Sequence, residues 1–161
     1  MMFAPKKSLG QNFLIDSKVI NRIIEVGKIE HEDIVIEVGP GKGVLTDKIF
    51  EKKPKSITVI EKDEKLASNL NKKFGNQINI INDDMMNVSY GTKFKKNHII
   101  FGNLPYNIST QILAKWIKTE NIDLFCKRLV LMFQKEVADR IIAKINTKEY
   151  GRLSILSNWR M

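Results

Sequence analysis

The 161-residue sequence has few of the cysteines and long apolar runs that are typical of secreted and membrane-spanning proteins. Its single cysteine, Cys126, rules out a disulfide within the chain and is typical of a reducing compartment. Apolar runs of membrane-spanning length are missing, and the first residues form no long apolar segment of the kind found in secretion signals. Repeats, low-complexity tracts and long linkers are also missing. We therefore expect one cytoplasmic domain over residues 1–161, with no membrane partner and no metal ion.

Charge is abundant and unbalanced. Twenty-seven Lys and Arg residues against 18 Asp and Glu residues give a net charge of +9. This excess favours a polyanionic partner, because contacts to phosphates release bound counterions. A Lys-rich surface that only keeps the protein dissolved explains the charge nearly as well. The 43% hydrophobic content is typical of a globular domain.

Short apolar segments alternate with amphipathic ones, which is typical of a parallel, doubly wound α/β sheet. The apolar segments predict five strands, at residues 34–38, 56–60, 78–81, 98–102 and 129–133. A long polar loop is expected over residues 82–96. The amphipathic segments predict helices at residues 17–26, 44–52, 63–74, 109–118, 135–145 and 151–159, the first capped by Asp16 and the fourth by Ser109 or Thr110.

The carboxyl ends of parallel strands are where such folds bind ligands. The turn Gly39–Gly43 follows the first strand and lets a ligand approach the backbone closely. A dinucleotide fingerprint would place its third glycine where Val44 stands, so a bound pyrophosphate is disfavoured. Glu61, after the second strand, can accept hydrogen bonds from both hydroxyls of a ribose. Asp84 ends the third strand and can accept a hydrogen bond from an adenine amino group. Asp83 is the alternative residue for this role.

Each of these carboxylates alone is better explained as a helix cap or a loop anion. Together, the strand ends outline an adenosine site, and a cofactor with adenosine but no pyrophosphate is S-adenosylmethionine. Glu37 lies inside the first strand, where a buried carboxylate needs a partner. It either orients the amino-acid end of the cofactor indirectly or anchors the glycine turn.

Asn103-Leu104-Pro105-Tyr106 follows the fourth strand and suggests adenine N6 methylation. The Asn103 side-chain oxygen and the Leu104 carbonyl can accept both hydrogens of an exocyclic amine, while the Tyr106 ring stacks on the base. An aromatic amine is a poor nucleophile because its lone pair is delocalised, and two acceptors favour its pyramidal, localised form. An Asn-capped Pro turn explains the same tetrapeptide equally well.

With the segment at residues 10–14, the chain resembles the ribosomal RNA adenine N6-dimethyltransferases of the KsgA type. The matching segments follow the family order over almost the whole chain, at residues 10–14, 37–41, 59–61, 84, 103–110, 134–140 and 150–154. The resemblance implies a Rossmann-like class I methyltransferase fold. It implies these contacts to S-adenosylmethionine: Gln11, Asn12 and Leu14 at the methionine end, Gly39 through its backbone, Glu61 at the ribose, Asp84 at the adenine, and Asn103 beside the target amine. The implied catalytic residues are Asn103, Leu104 and Tyr106, with Tyr106 stacking on a flipped adenine.

Members of this family dimethylate two adjacent adenosines in a hairpin near the 3′ end of small-subunit (16S) rRNA, so rRNA or a pre-ribosomal particle is the implied partner. Related macrolide-resistance enzymes dimethylate one adenosine of large-subunit rRNA. Leu104 and the segments 137–139 and 150–154 favour the small-subunit group. Met85 is a minor departure from the family pattern, in which a small residue commonly follows the acidic residue. A DNA adenine methyltransferase would normally place proline where Leu104 stands. A non-catalytic RNA-binding assembly factor is a further alternative.

The family fold continues past Trp159 with two more strands, an aromatic-bearing loop and a small helical domain that grips RNA. From the resemblance we therefore expect an incomplete core that binds its cofactor, binds RNA weakly and transfers little methyl. The strand at residues 129–133 should be an exposed edge unless the helix at residues 151–159 covers it. Full-length family members are expected to be monomers, whereas an exposed edge favours association.

Overall fold

The computed structural model describes residues 13–88, 97–120 and 122–161. Within them, five strands form one wholly parallel sheet in the order β3-β2-β1-β4-β5. The strands are β1 Ile34–Val38, β2 Ser56–Ile60, β3 Asn79–Ile81, β4 His98–Gly102 and β5 Cys126–Leu131. All five predicted strands are therefore present.

Helices follow the strands, as the amphipathic segments predict. They are α1 Ser17–Gly27, α2 Val44–Glu51, α3 Glu64–Phe74, α4 Ser109–Lys118, α5 Ile122–Phe125, α6 Lys135–Ile141 and α7 Arg152–Arg160. Asp16 and Asp63 cap α1 and α3 by accepting hydrogen bonds from two backbone amides each. None of the described helices is long and apolar enough to cross a membrane.

The two faces of the sheet bury separate apolar clusters, because successive residues of a strand point to opposite sides. Val35 and Ile36, neighbours on β1, belong to different clusters. Helices α1, α2 and α3 pack on the Val35 side, while α4 and α5 pack on the Ile36 side. This arrangement confirms the doubly wound α/β fold.

The prediction that Ser109 or Thr110 caps the fourth helix is wrong. Ile108 occupies the cap position and makes no side-chain capping bond, while Ser109 is already helical. The Ser109 hydroxyl is buried and donates to the Tyr106 carbonyl oxygen at 3.2 Å. That hydroxyl therefore serves the preceding turn rather than the amides at the start of α4.

Two boundaries differ from the expected ones. β5 begins at Cys126 and ends at Leu131 because it follows the register of β4, whose last residue, Gly102, pairs with Leu131. Helix α6 ends at Ile141, four residues early. Its expected extension holds Ile142 and Ile145, which are 74% and 71% exposed, so a further turn would bury little apolar surface.

Within the described residues, β5 pairs with β4 alone and forms an edge of the sheet, as expected. The C-terminal helix α7 contacts α4 and α6. Helix α5 was not expected, because its four residues are too few to show a helical period.

Candidate active site

The order of the strands places a crevice at the carboxyl ends of β1 and β4. The chain leaves β1 towards a helix on one face and leaves β4 towards a helix on the other, which is the switch point where doubly wound sheets bind ligands. Backbone pairing continues to the first residue of each loop. The Gly39 amide donates to the Ile60 carbonyl at 3.0 Å, and the Asn103 amide donates to the Val38 carbonyl at 3.2 Å. Both loops are therefore anchored where they enter the site.

Five of the predicted site residues line one cavity in this crevice: Leu14, Gly39, Glu61, Asp84 and Asn103. Gln11 and Asn12 lie outside the described residues. Leu104 and Tyr106 are not among the described lining residues. The Leu104 side chain is 2% exposed and belongs to the apolar cluster on the α4 side, and Tyr106 is 41% exposed.

Glycine is required where the two loops meet. Gly39, Gly41 and Gly43 all adopt left-handed backbone angles, with φ of 71°, 58° and 78°. A Cβ atom at Gly39 would lie 2.9 Å from the Asn103 carbonyl oxygen, closer than real Cβ contacts. The absence of a side chain at Gly39 therefore lets the β1 and β4 loops touch.

Glu61 is a buried carboxylate that is fixed from two sides. Its Oε2 accepts the Gly41 amide at 3.0 Å and its Oε1 accepts the Asp63 amide at 2.9 Å. Burial raises the pKa of Glu61, while these backbone hydrogen bonds act in the opposite direction. A carboxylate has about four acceptor sites, so Glu61 keeps acceptor capacity for a ligand hydroxyl beyond its backbone hydrogen bonds. The sequence did not reveal that Glu61 also holds the glycine turn.

Glu37 is 1% exposed and lines the same cavity. The Thr46 hydroxyl on α2 donates to Glu37 Oε2 at 2.6 Å, which supplies the partner that burial requires. Burial, aided by the nearby carboxylates of Glu61 and Asp47, raises the pKa of Glu37 to about 8, although the Thr46 hydrogen bond acts in the opposite direction. Glu37 thus contacts α2, which follows the glycine turn, and also borders the cavity.

Asp84 lies three residues beyond Ile81, where β3 ends, so it follows the strand rather than ending it. Its Oδ1 accepts the Met86 amide at 2.8 Å, and its Oδ2 accepts the Lys62 ammonium at 2.8 Å. The Lys62 hydrogen bond, aided by the one from Met86, lowers the pKa of Asp84. The alternative residue, Asp83, is exposed and is not among the described residues that line the cavity.

The segment before α1 packs against the glycine turn. Phe13 and Leu14 line the cavity, and the Lys42 ammonium lies 4.6 Å from the centroid of the Phe13 ring. Asn103 and Pro105, in the loop after β4, also line the cavity. Among the described residues, no group of three or more His, Cys, Asp or Glu side chains is placed to hold a metal ion.

The fold is similar to that of two solved methyltransferases. A dimethyladenosine transferase from Plasmodium falciparum superposes with a TM-score of 0.78 at 32% identity, covering 90% of this chain and 51% of that one. The 23S rRNA methyltransferase ErmE gives a TM-score of 0.73 at 28% identity, covering 91% of this chain and 55% of that one. The fold is thus the Rossmann-like methyltransferase fold.

The family model described as ribosomal RNA adenine dimethylase matches residues 2–161, and the chain belongs to that family. "Ribosomal RNA small subunit methyltransferase A" of Pelagibacter ubique (strain HTCC1062) is 53% identical over 161 residues, covering 100% of this chain and 61% of that protein. The protein with the same name from Wolbachia sp. subsp. Drosophila simulans (strain wRi) is 44% identical over 161 residues, covering 97% of this chain and 57% of that protein. The chain therefore spans less than two thirds of the length of these relatives.

Proposed function

We propose that this chain forms the cofactor-binding and catalytic part of an S-adenosylmethionine-dependent N6,N6-dimethyltransferase. Its proposed target is a pair of adjacent adenosines in a hairpin near the 3′ end of small-subunit rRNA. The observation that carries the proposal is the convergence of Glu61, Asp84 and Asn103 on one cavity beside a glycine turn. Relatives that are named as small-subunit methyltransferases support the choice of RNA.

The donors and acceptors of the cavity fit an adenosine. Glu61 presents fixed carboxylate oxygens to the ribose hydroxyls, and Asp84 presents an ionised carboxylate to an amino group. The backbone at Gly39 leaves room for close approach, and Leu14 contributes an apolar wall. S-adenosylmethionine, when bound, supplies an electrophilic methyl group on a sulfonium.

Asn103 is the proposed link between the cofactor and the target amine. Its amide oxygen and the Leu104 carbonyl accept the two amine hydrogens, which localises the nitrogen lone pair. The exposed Tyr106 ring offers a stacking face to a base taken out of the RNA. Leu104, held in the core by its side chain, would keep its own carbonyl in place.

Binding of S-adenosylhomocysteine tests the cofactor part of the proposal. Glu61→Ala removes the ribose acceptor, and since hydrogen bonds to a charged group contribute about 1.5–3 kcal/mol, affinity should fall about ten- to hundredfold. Glu64→Ala, on the exposed first turn of α3, is the matched control and should bind like the parent. NAD should not bind, because Val44 replaces the third glycine of the dinucleotide fingerprint. Equal calorimetric affinity of parent and Glu61→Ala would remove Glu61 from the site.

The identity of the RNA needs a separate experiment. The similarity to a 23S rRNA methyltransferase keeps large-subunit RNA as the second candidate. Radiolabel transfer to a small-subunit precursor particle, compared with protein-free large-subunit RNA, separates the two. RNA binding without any transfer would favour a non-catalytic assembly factor, for which the charge of +9 suffices. A cytoplasmic location and a single domain over residues 1–161 stay predictions.

A further inference from the structure

Lys62 sits beside the carboxylate that is proposed to bind adenine. It follows Glu61 directly, in the turn between β2 and α3, and it lines the same cavity. Its ammonium forms an ion pair with Asp84 Oδ2 at 2.8 Å, across 22 residues of sequence. Both partners of this ion pair line the cavity.

The ion pair uses part of the acceptor capacity that a ligand would need. Asp84 Oδ1 already accepts the Met86 amide at 2.8 Å, and Oδ2 accepts Lys62. Each oxygen keeps a second acceptor site, but an exocyclic amine that binds there must lie directly beside one of these donors or take its place. The Met86 amide is part of the backbone turn that carries Asp84, and it cannot leave without reshaping that turn. The Lys62 side chain is 55% exposed, so its ammonium can move into water at little cost.

We propose that Lys62 competes with the cofactor's adenine amino group for Asp84 and thereby lowers cofactor affinity. The inference rests on the proposed function, since it takes Asp84 as the adenine acceptor. In the unliganded protein the Lys62 ammonium occupies Asp84 Oδ2. When an adenosine ligand binds, the ammonium is displaced, and it returns when the ligand leaves.

Calorimetry with S-adenosylhomocysteine tests this competition. The ligand carries no net charge, so its own attraction to the protein depends little on salt. Lys62→Met removes the ammonium but keeps the apolar stem, and it should bind about two- to fivefold more tightly than the parent. Lys62→Arg keeps the positive charge and should bind like the parent. Lys65→Met, which removes an equal charge from an exposed position on α3, should leave affinity unchanged.

Salt dependence gives a readout that a purely structural role of Lys62 would not produce. Screening weakens an exposed ion pair, so parent affinity should rise between about 50 mM and 500 mM NaCl. The affinity of Lys62→Met should stay flat over the same range. In an Asp84→Asn background the ion pair is gone, and Lys62→Met should bring no further gain.

Several results would overturn the competition. One is an affinity of Lys62→Met for S-adenosylhomocysteine that is equal to or lower than that of the parent. Another is a gain in affinity in Lys65→Met that equals the gain in Lys62→Met. A third is an equal gain from Lys62→Met in the Asp84→Asn background. Failure of the parent to bind S-adenosylhomocysteine would instead overturn the proposed function, and the inference with it. Normal binding by Asp84→Asn together with weak binding by Glu61→Ala would keep the cofactor site but remove Asp84, and so end the role of Lys62.

Discussion

The two sides of the cavity are built differently. On the side of β1, β2 and β3, each acidic side chain accepts hydrogen bonds from groups of the protein. Thr46 donates to Glu37, two backbone amides donate to Glu61, and Lys62 and one backbone amide donate to Asp84. In the loop after β4, Asn103 and Pro105 line the cavity, while Leu104 is buried in the core and Tyr106 is 41% exposed. Farther along the chain, exposed apolar residues include Ile142, just after α6, and Trp159 on α7.

This difference matches the two proposed ligands. A small cofactor can be enclosed by groups that the protein itself holds in place before binding, which lowers the entropy cost of binding. A base within an RNA must enter from outside and brings its own backbone and charge, so its side of the site has to stay accessible. Four substitutions test this contrast between a preorganised cofactor side and an open target side.

The largest effect is expected from Asn103→Ala. Loss of one preorganised polar group at a reacting centre typically costs about 10²–10³ in kcat, and methyl transfer to RNA should fall by that factor. Asn103 is also expected to touch the cofactor, but affinity for S-adenosylhomocysteine should fall far less than turnover. Radiolabel transfer and calorimetry measure the two quantities. Asn71→Ala, on the exposed side of α3, is the control. Parental turnover in Asn103→Ala would refute the proposed chemistry.

Gly39→Ala should destabilise the junction of the two sides. A left-handed backbone costs a non-glycine residue about 1–2 kcal/mol, and the added Cβ would crowd the Asn103 carbonyl oxygen at 2.9 Å. We expect the free energy of unfolding to fall by about 2–3 kcal/mol in urea titrations. Gly151→Ala is the matched control, because Gly151 has an extended backbone and open space around it. Equal losses in both variants would show that the contact between the loops is unimportant.

Tyr106→Ala tests the open side alone. Stacking of a base on an aromatic ring is worth about 1–3 kcal/mol, so capture of the target adenosine should weaken accordingly. Tyr106→Phe keeps the ring and should retain most of that capture. Affinity for S-adenosylhomocysteine should be unchanged in both variants. If Tyr106→Ala weakened cofactor binding as strongly as RNA capture, the separation of the two sides would be wrong.

Glu37→Gln should remove a pH dependence that arises on the cofactor side. The pKa of Glu37 is raised from 4.5 to about 8 in the folded protein. Between these values the folded state retains a proton that the unfolded state has released. The stabilisation from this group is therefore fully present below pH 4.5 and is lost as pH rises to about 8, with a slope of at most about 1.4 kcal/mol per pH unit.

Chemical denaturation of the parent and Glu37→Gln at a series of pH values measures this effect. The difference in unfolding free energy should shift in favour of Glu37→Gln as pH rises to about 8. Glu64→Gln, at an exposed position, should follow the parent. Parallel pH profiles for the parent and Glu37→Gln would show that Glu37 is ionised in the folded protein at neutral pH.

Local patterns determined most of the fold. Apolar segments of strand length located every strand, because a strand that is buried on both faces needs a continuous apolar run. Asp16 and Asp63 marked helix starts, since a carboxylate can accept the amides of the first turn without help from distant residues. The order of Glu61, Asp84 and Asn103 after successive strands then placed them at one edge of a parallel sheet.

The tertiary structure decided what depends on residues that are far apart in the sequence. Which of Asp83 and Asp84 lines the cavity, the Lys62 ion pair and the Thr46 partner of Glu37 all follow from which loops come together. The start of β5 follows from its register with β4. A short sequence segment shows which polar side chains are present. Their hydrogen-bond partners lie many residues away and are determined only when the sheet brings the strand ends together.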